Sequence, residues 1–162
     1  MEKPQITIKD VKEMRIIYIR FKGTYLEFRK NSRKLFEKLF DYAKKNNLII
    51  PEVTKVLTIY NDNPFITDSR NLRTSVAMTI TVGAVLEASD EITDTIISGK
   101  FGVGSFELKL NEYGDAWHHM YHEWLFKSKE KARDSVPFEL YVTEPPKSLK
   151  GKSYTDIYIP IE

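Results

Sequence analysis

The chain has 162 residues, 41% hydrophobic and 12% aromatic, with 30% charged residues of both signs and a formal net charge of +2. That balance supports a packed interior, excludes disorder, and gives no electrostatic case for nucleic acid as a direct partner. Cysteine is absent, which excludes disulfides and thiolate metal sites. No apolar stretch reaches signal-peptide or membrane-span length, so no membrane partner and a cytoplasmic location are expected.

In chain order, a β-rich run from Arg15 to Phe21 comes first. Gly23 follows as a turn where φ favours glycine. Next comes an amphipathic helix, with Phe28, Ser32, Leu35, Leu39 and Tyr42 on one face and Thr24 and Glu27 at capping-box spacing. Two strands close the unit, Val56 to Asn61 and Arg73 to Thr81, linked by the turn residues Asn61 to Pro64. The second half repeats this grammar. Thr95 to Val103 is the strand and Gly104 the expected turn. Tyr113, Trp117, Met120, Tyr121 and Trp124 form the helical stripe, and Phe138 to Thr143 and Thr155 to Ile161 are the closing strands.

Displaced by 81 residues, the two halves align without a gap. Lys22 to Tyr25 lie over Val103 to Phe106, Phe36 over Trp117, Tyr60 over Tyr141, Pro64 over Pro145 and Thr74 over Thr155. The expectation is one α+β domain over 1–162, a tandem duplication of a strand-helix-strand-strand module with pseudo-repeats 1–81 and 82–162. It has antiparallel sheets, two amphipathic helices and a central cleft where the copies meet. Clefts of that kind are where small molecules bind.

Alternation in the strand from Pro137 to Val142 puts Phe138, Leu140 and Val142 on one face, expected under the helix, and Glu139 with Tyr141 on the other. In the first half Leu57 and Ile59 point inward, and Thr58 and Tyr60 take the second face. The duplicated site therefore has two tyrosines and one carboxylate. An acid among aromatic rings suits a cation or a hydrogen-bonding heterocycle. On spacing alone a solvated Glu139 is the commoner outcome, since glutamate is rarely buried unpaired.

His118, His119 and His122 have partial metal-ligand spacing, but they fall away from the buried stripe and lack a further local ligand. No metal and no cofactor is expected. The basic helix residues Arg29, Lys30, Arg33, Lys34, Lys38, Lys44 and Lys45 alternate with acids, as on a solvated outer face. No glycine-rich phosphate loop or nucleophile elbow is present.

Four segments follow one another at a characteristic spacing: Ser98 to Val103, then Trp117, Tyr121, Trp124 and Leu125, then Pro137 to Tyr141, then Thr155 to Ile161. With Ile59 to Pro64 and Leu72 to Val76 in the first half, the set resembles the GyrI-like effector-binding domains. These are the ligand-binding domains of multidrug-responsive transcription activators and the DNA gyrase inhibitor proteins. The resemblance runs from about Lys9 to Ile161 and implies an aromatic-lined cleft with its acidic ligand contact at Glu139. Tyr141 is expected beside Glu139, and Tyr60, Trp124 and Tyr18 in the wall. With no DNA-binding domain in this chain, the likeness is to the standalone members.

The leading expectation is a sensor or sequestering protein for an amphipathic, often cationic or heteroaromatic, small molecule. A second is hydrolysis of a strained electrophile, with Glu139 as general base and Tyr141 or Tyr60 as hydrogen-bond donor. A third is modulation of gyrase, or of a separate regulator, through protein contact. Haem binding, known in a fold-related family, lacks a cleft-facing ligand. The chain is expected as a monomer or as a dimer through an open sheet edge.

Overall fold

The computed structural model describes residues 1–162. In chain order the elements are β1 (Gln5–Lys22), α1 (Tyr25–Lys45), β2 (Val56–Tyr60), β3 (Arg73–Thr79), β4 (Thr93–Lys109), α2 (Tyr113–His118), β5 (Phe138–Tyr141) and β6 (Lys152–Pro160). The fold is α+β, with six antiparallel strands. No helix is long and apolar enough to cross a membrane. The chain divides into two compact units, one formed by Lys12–Ser98, the other by Met1–Val11 together with Gly99–Glu162.

In the first of these units β3 lies between β1 and β2. Helix α1 starts where the sequence signals it. The Thr24 hydroxyl accepts from the Glu27 amide at 3.1 Å, and the Glu27 carboxylate accepts from the Thr24 amide at 3.1 Å. Both orphan donors are thereby satisfied. Gly23 precedes them at a φ of 153°. Phe28, Leu39 and Ala43 pack with Ile17, Ile19, Val76 and Met78 into this unit's core. The basic residues named above are all exposed, and Arg33, Lys38 and Lys45 pair with Glu37, Glu91 and Glu87. Thr24→Ala removes one half of the capping box. It should cost about 1 kcal/mol, read as a lower midpoint in urea unfolding with an unchanged slope.

In the other unit β6 lies between β4 and β5. The closing strands reproduce the first unit's ladder 81 residues later: Tyr60 faces Thr74, and Tyr141 faces Thr155. The leading strands do not. Thr79 faces Ile16, whereas Pro160, its counterpart at that displacement, faces Phe101, four residues beyond the position the gapless alignment requires. Gly104 therefore does not turn the chain. Strand β4 runs through it to Lys109, because Phe106 and Leu108 continue the alternation into the core. A Cβ on Gly104 would instead meet the Met120 sulfur and the Phe106 ring.

The second helix departs from α geometry. After His118 it continues as a π-helix over His119–Leu125, with Phe126 N–H bonded to the Tyr121 carbonyl at 2.9 Å. The wider turn changes which residues are buried: the buried row is Ala116, Met120 and Leu125, at spacings of four and then five. Trp117, Tyr121 and Trp124, expected in the buried stripe, are half-buried at its flank. His118 and His122 are exposed, their rings stacked at 4.2 Å. His119 differs from the expectation of a fully solvated face, since it is half-buried with its ring edge-on to Phe106.

Candidate functional site

Strand β5 is buried on both faces, so its alternation separates two sides without saying which one the helix covers. Glu139 faces Ile157 across the β5–β6 ladder, and Ile157 packs with Ala116 and Met120 of the second helix. Glu139 and Tyr141 thus lie on the helix side. Phe138, expected there, lies on the reverse side, stacked on Tyr158 at 4.5 Å and edge-on to Phe101 at 5.5 Å. The first unit shows the same reversal. Thr58 faces Val76, which packs under α1, so Thr58 and Tyr60 are on the helix side, and Leu57 and Ile59 on the other.

Glu139 is 3% exposed, and a carboxylate at that depth requires donors. Tyr141 Oη donates to Glu139 Oε1 at 2.8 Å, and Trp117 Nε1 donates to Oε2 at 2.6 Å. Trp117 in turn stacks on Tyr121 at 6.3 Å between ring centroids. Beside them the Tyr113 hydroxyl bonds Thr155 Oγ1 at 2.8 Å and Ser153 Oγ at 3.2 Å. Burial pushes the Tyr113 phenol above its ordinary pKa, the two hydroxyl contacts pull it back, and the charge of Glu139 adds to the rise. One carboxylate is thus held by an indole and a phenol, with a second phenol and two buried hydroxyls nearby. The arrangement can present fixed negative charge beside flat aromatic surfaces.

Trp124 is held by a different device. A Cβ on Gly102 of β4 would fall within the Trp124 ring, so the indole lies directly on the strand backbone. Tyr60, in the other unit, meets Tyr25 edge-on at 5.7 Å. Tyr18 faces Ala77 and so lies on the sheet face opposite Tyr60. There Arg20 sits 5.4 Å from its ring centroid. Tyr18 also borders a recess of about 470 Å³ whose lining includes Leu35 and Lys38 of α1 together with Glu91. Of the residues singled out in the sequence, Glu139 and Tyr141 are in direct contact.

Trp117, Tyr113 and Thr155 are partners of this site that spacing did not single out. The signal available was chemical: a half-buried indole N–H needs an acceptor, and Glu139 is the acid on the strand that faces the helix. Trp117→Phe keeps an aromatic ring and removes the donor to Oε2. The expected cost is about 1–3 kcal/mol, measured by urea unfolding, and Trp117→His should recover part of it if its ring N–H reaches the carboxylate.

The GyrI-like small molecule binding domain family matches residues 4–162. No curated protein has a sequence matching this one. Among solved structures, the C-terminal domain of EcmrR superposes with a TM-score of 0.77 at 14% identity, covering 98% of both chains. In the complex of EcmrR with DNA the chain covers 59% of the EcmrR chain, again at a TM-score of 0.77 and 14% identity. A hydrolase from Listeria innocua superposes with a TM-score of 0.65 at 12% identity, over 100% of this chain and 94% of that one. The protein SAV2435 bound to tetraphenylphosphonium gives a TM-score of 0.59 at 10% identity, over 98% of this chain and 94% of that one. At these identities the likeness concerns the fold alone.

Proposed function

The chain belongs to the GyrI-like small-molecule-binding family, and from that premise we propose that it holds an amphipathic cation or heteroaromatic compound against Glu139, as a sensor or sequestering protein. The observation that carries this reading is the buried Glu139 carboxylate with an indole and a phenol donating to its two oxygens. These hydrogen bonds fix the carboxylate as an oriented anion, and the ring faces around it favour a delocalised cation over a compact, strongly hydrated one. Tyr141 contributes both a hydrogen bond and a ring, and Trp124, laid on Gly102, a flat wall. Tyr60 takes the place of Tyr141 in the other unit, with Thr58 where Glu139 would be. The fold shared with a protein bound to tetraphenylphosphonium supports the choice of ligand class.

Hydrolysis of an electrophilic small molecule is the second reading. It is favoured by the 2.8 Å contact between the Tyr141 hydroxyl and Glu139, a pair suited to activating a water and supporting a leaving oxygen. Isothermal titration of tetraphenylphosphonium into wild type and Glu139→Gln tests the binding reading. Saturable binding that weakens in the variant is the expected result, and equal affinity of both proteins refutes it. Incubation with epoxide and cyclopropyl compounds, followed by mass spectrometry, tests the second. Consumption that stops with Glu139→Gln would make the protein a hydrolase.

A further inference from the structure

Thr74 is the place where the two units solve the same local problem differently. It is 0% exposed, and its hydroxyl has no hydrogen-bond partner. Buried hydroxyls without a partner are uncommon and costly, and each one requires an explanation. Its counterpart in the other unit, Thr155, occupies the same ladder position, opposite Tyr141 as Thr74 is opposite Tyr60. Thr155 is fully buried too, yet its Oγ1 is satisfied by the Tyr113 phenol at 2.8 Å.

The difference comes from the start of the helix. Tyr113 is the first residue of α2, as Tyr25 is of α1. Strand β4 and a 3₁₀ turn over Leu110–Glu112 lead into Tyr113, whereas Gly23 and Thr24 lead directly from β1 into Tyr25. Tyr25 then lies edge-on to the Tyr60 ring at 5.7 Å. The second hydroxyl is missing as well. Ser153, two residues before Thr155, shares the Tyr113 phenol, while Leu72, two residues before Thr74, is a buried aliphatic side chain.

We propose that Thr74 marks a subsite for a phenol-type group, an aromatic ring with one hydroxyl, which supplies in this unit the contact that Tyr113 supplies in the other. The chemistry is set by the orphan oxygen and its place in the ladder: one hydroxyl able to donate and accept, the Tyr60 ring opposite it with Tyr25 edge-on to that ring for the aryl face, and buried Leu72 two residues back for an apolar edge. The hydroxyl is closed off from water, so a ligand enters by displacing a neighbour. We assign that displacement to Tyr25, half-buried at the first position of its helix and edge-on to the Tyr60 ring. The subsite does not depend on Glu139 and goes beyond the cation-binding reading.

The test uses para-cresol as probe and toluene as its hydroxyl-free control, in titrations of the full chain followed by amide NMR. Para-cresol should shift the Thr74 and Tyr60 amides, and Thr74→Val should weaken it about fivefold, the size of one neutral hydrogen bond. Thr74→Ser should restore the affinity, and toluene should not distinguish wild type from Thr74→Val. Because the hydroxyl has no protein partner, Thr74→Val should melt at or above the wild-type temperature. Equal para-cresol affinity in wild type and Thr74→Val overturns the proposal, as does a lowered melting temperature, which would reveal a protein partner for the hydroxyl. Thr74→Val should leave tetraphenylphosphonium affinity unchanged, so failure here is distinguishable from failure of the cation site.

Discussion

Glu139→Gln should weaken tetraphenylphosphonium binding by about 30- to 150-fold while leaving the fold intact. A carboxylate and a delocalised cation about 5 Å apart attract by about 3 kcal/mol at an effective dielectric of 20, and a loss of about 2–3 kcal/mol corresponds to that range of affinity. Glutamine preserves the shape and most of the hydrogen bonding. Its carbonyl can accept from Trp117 Nε1–H, and its amide can donate to the Tyr141 hydroxyl, which then turns from donor to acceptor. The unfolding midpoint should therefore fall far less than the affinity. Triphenylphosphine oxide, similar in its rings and without the charge, separates charge recognition from aromatic stacking. It should bind wild type and variant within about twofold, since rings contribute alike to both. If the neutral compound loses as much as the cation, Glu139 acts by shaping the site and not by its charge.

Much of this site could be read from the residues. Alternation along Phe138, Glu139, Leu140 and Tyr141 places the acid and the phenol on a common face, and the 2.8 Å contact between them agrees. Alternation did not identify the side on which the helix lies. Phe138, Glu139 and Leu140 are all buried, so the rule that the apolar face meets the helix has no solvated face to work against. The apolar side of β5 meets an aromatic cluster, and the helix covers the side with the acid. Thr24 and Glu27 carried their own capping signal, whereas Gly104 carried a misleading one: a glycine inside a strand marks close approach of another group as often as a turn. The π-helical stretch was hidden for a related reason. Its signature is a buried row of Ala116, Met120 and Leu125, and aromatic residues at 117, 121 and 124 fill α-helical spacing equally well. Strand and helix boundaries depend on contacts far away in the sequence, which is where local pattern stops being informative.

That π-helical stretch leads to the second large effect, at Gly102. Gly102→Ala should lower stability by about 2 kcal/mol, since even one extra carbon in a tight contact forces side chains off their preferred rotamers. For a chain of this length that is a fall of about 4–8 °C in melting temperature. The added methyl would enter the Trp124 ring, and an indole is rigid, so it must move as a whole. The comparison is Gly104→Ala, where a Cβ meets chiefly the thioether of Met120 along with the Phe106 ring edge. Methionine has three rotatable bonds and adapts to such intrusions, so Gly104→Ala should cost less than Gly102→Ala. Combining Gly102→Ala with Trp124→Leu removes the obstructing ring and should recover part of the lost stability relative to the sum of the single changes, a coupling that a double-mutant cycle measures directly. Ligand binding should respond in the same order. If Trp124 walls the site, Gly102→Ala weakens tetraphenylphosphonium through displacement of the indole, even though Gly102 has no side chain with which to touch a ligand. A Gly102→Ala protein that melts with wild type would mean that the indole yields without cost, and Trp124 would then be too loosely held to serve as a wall.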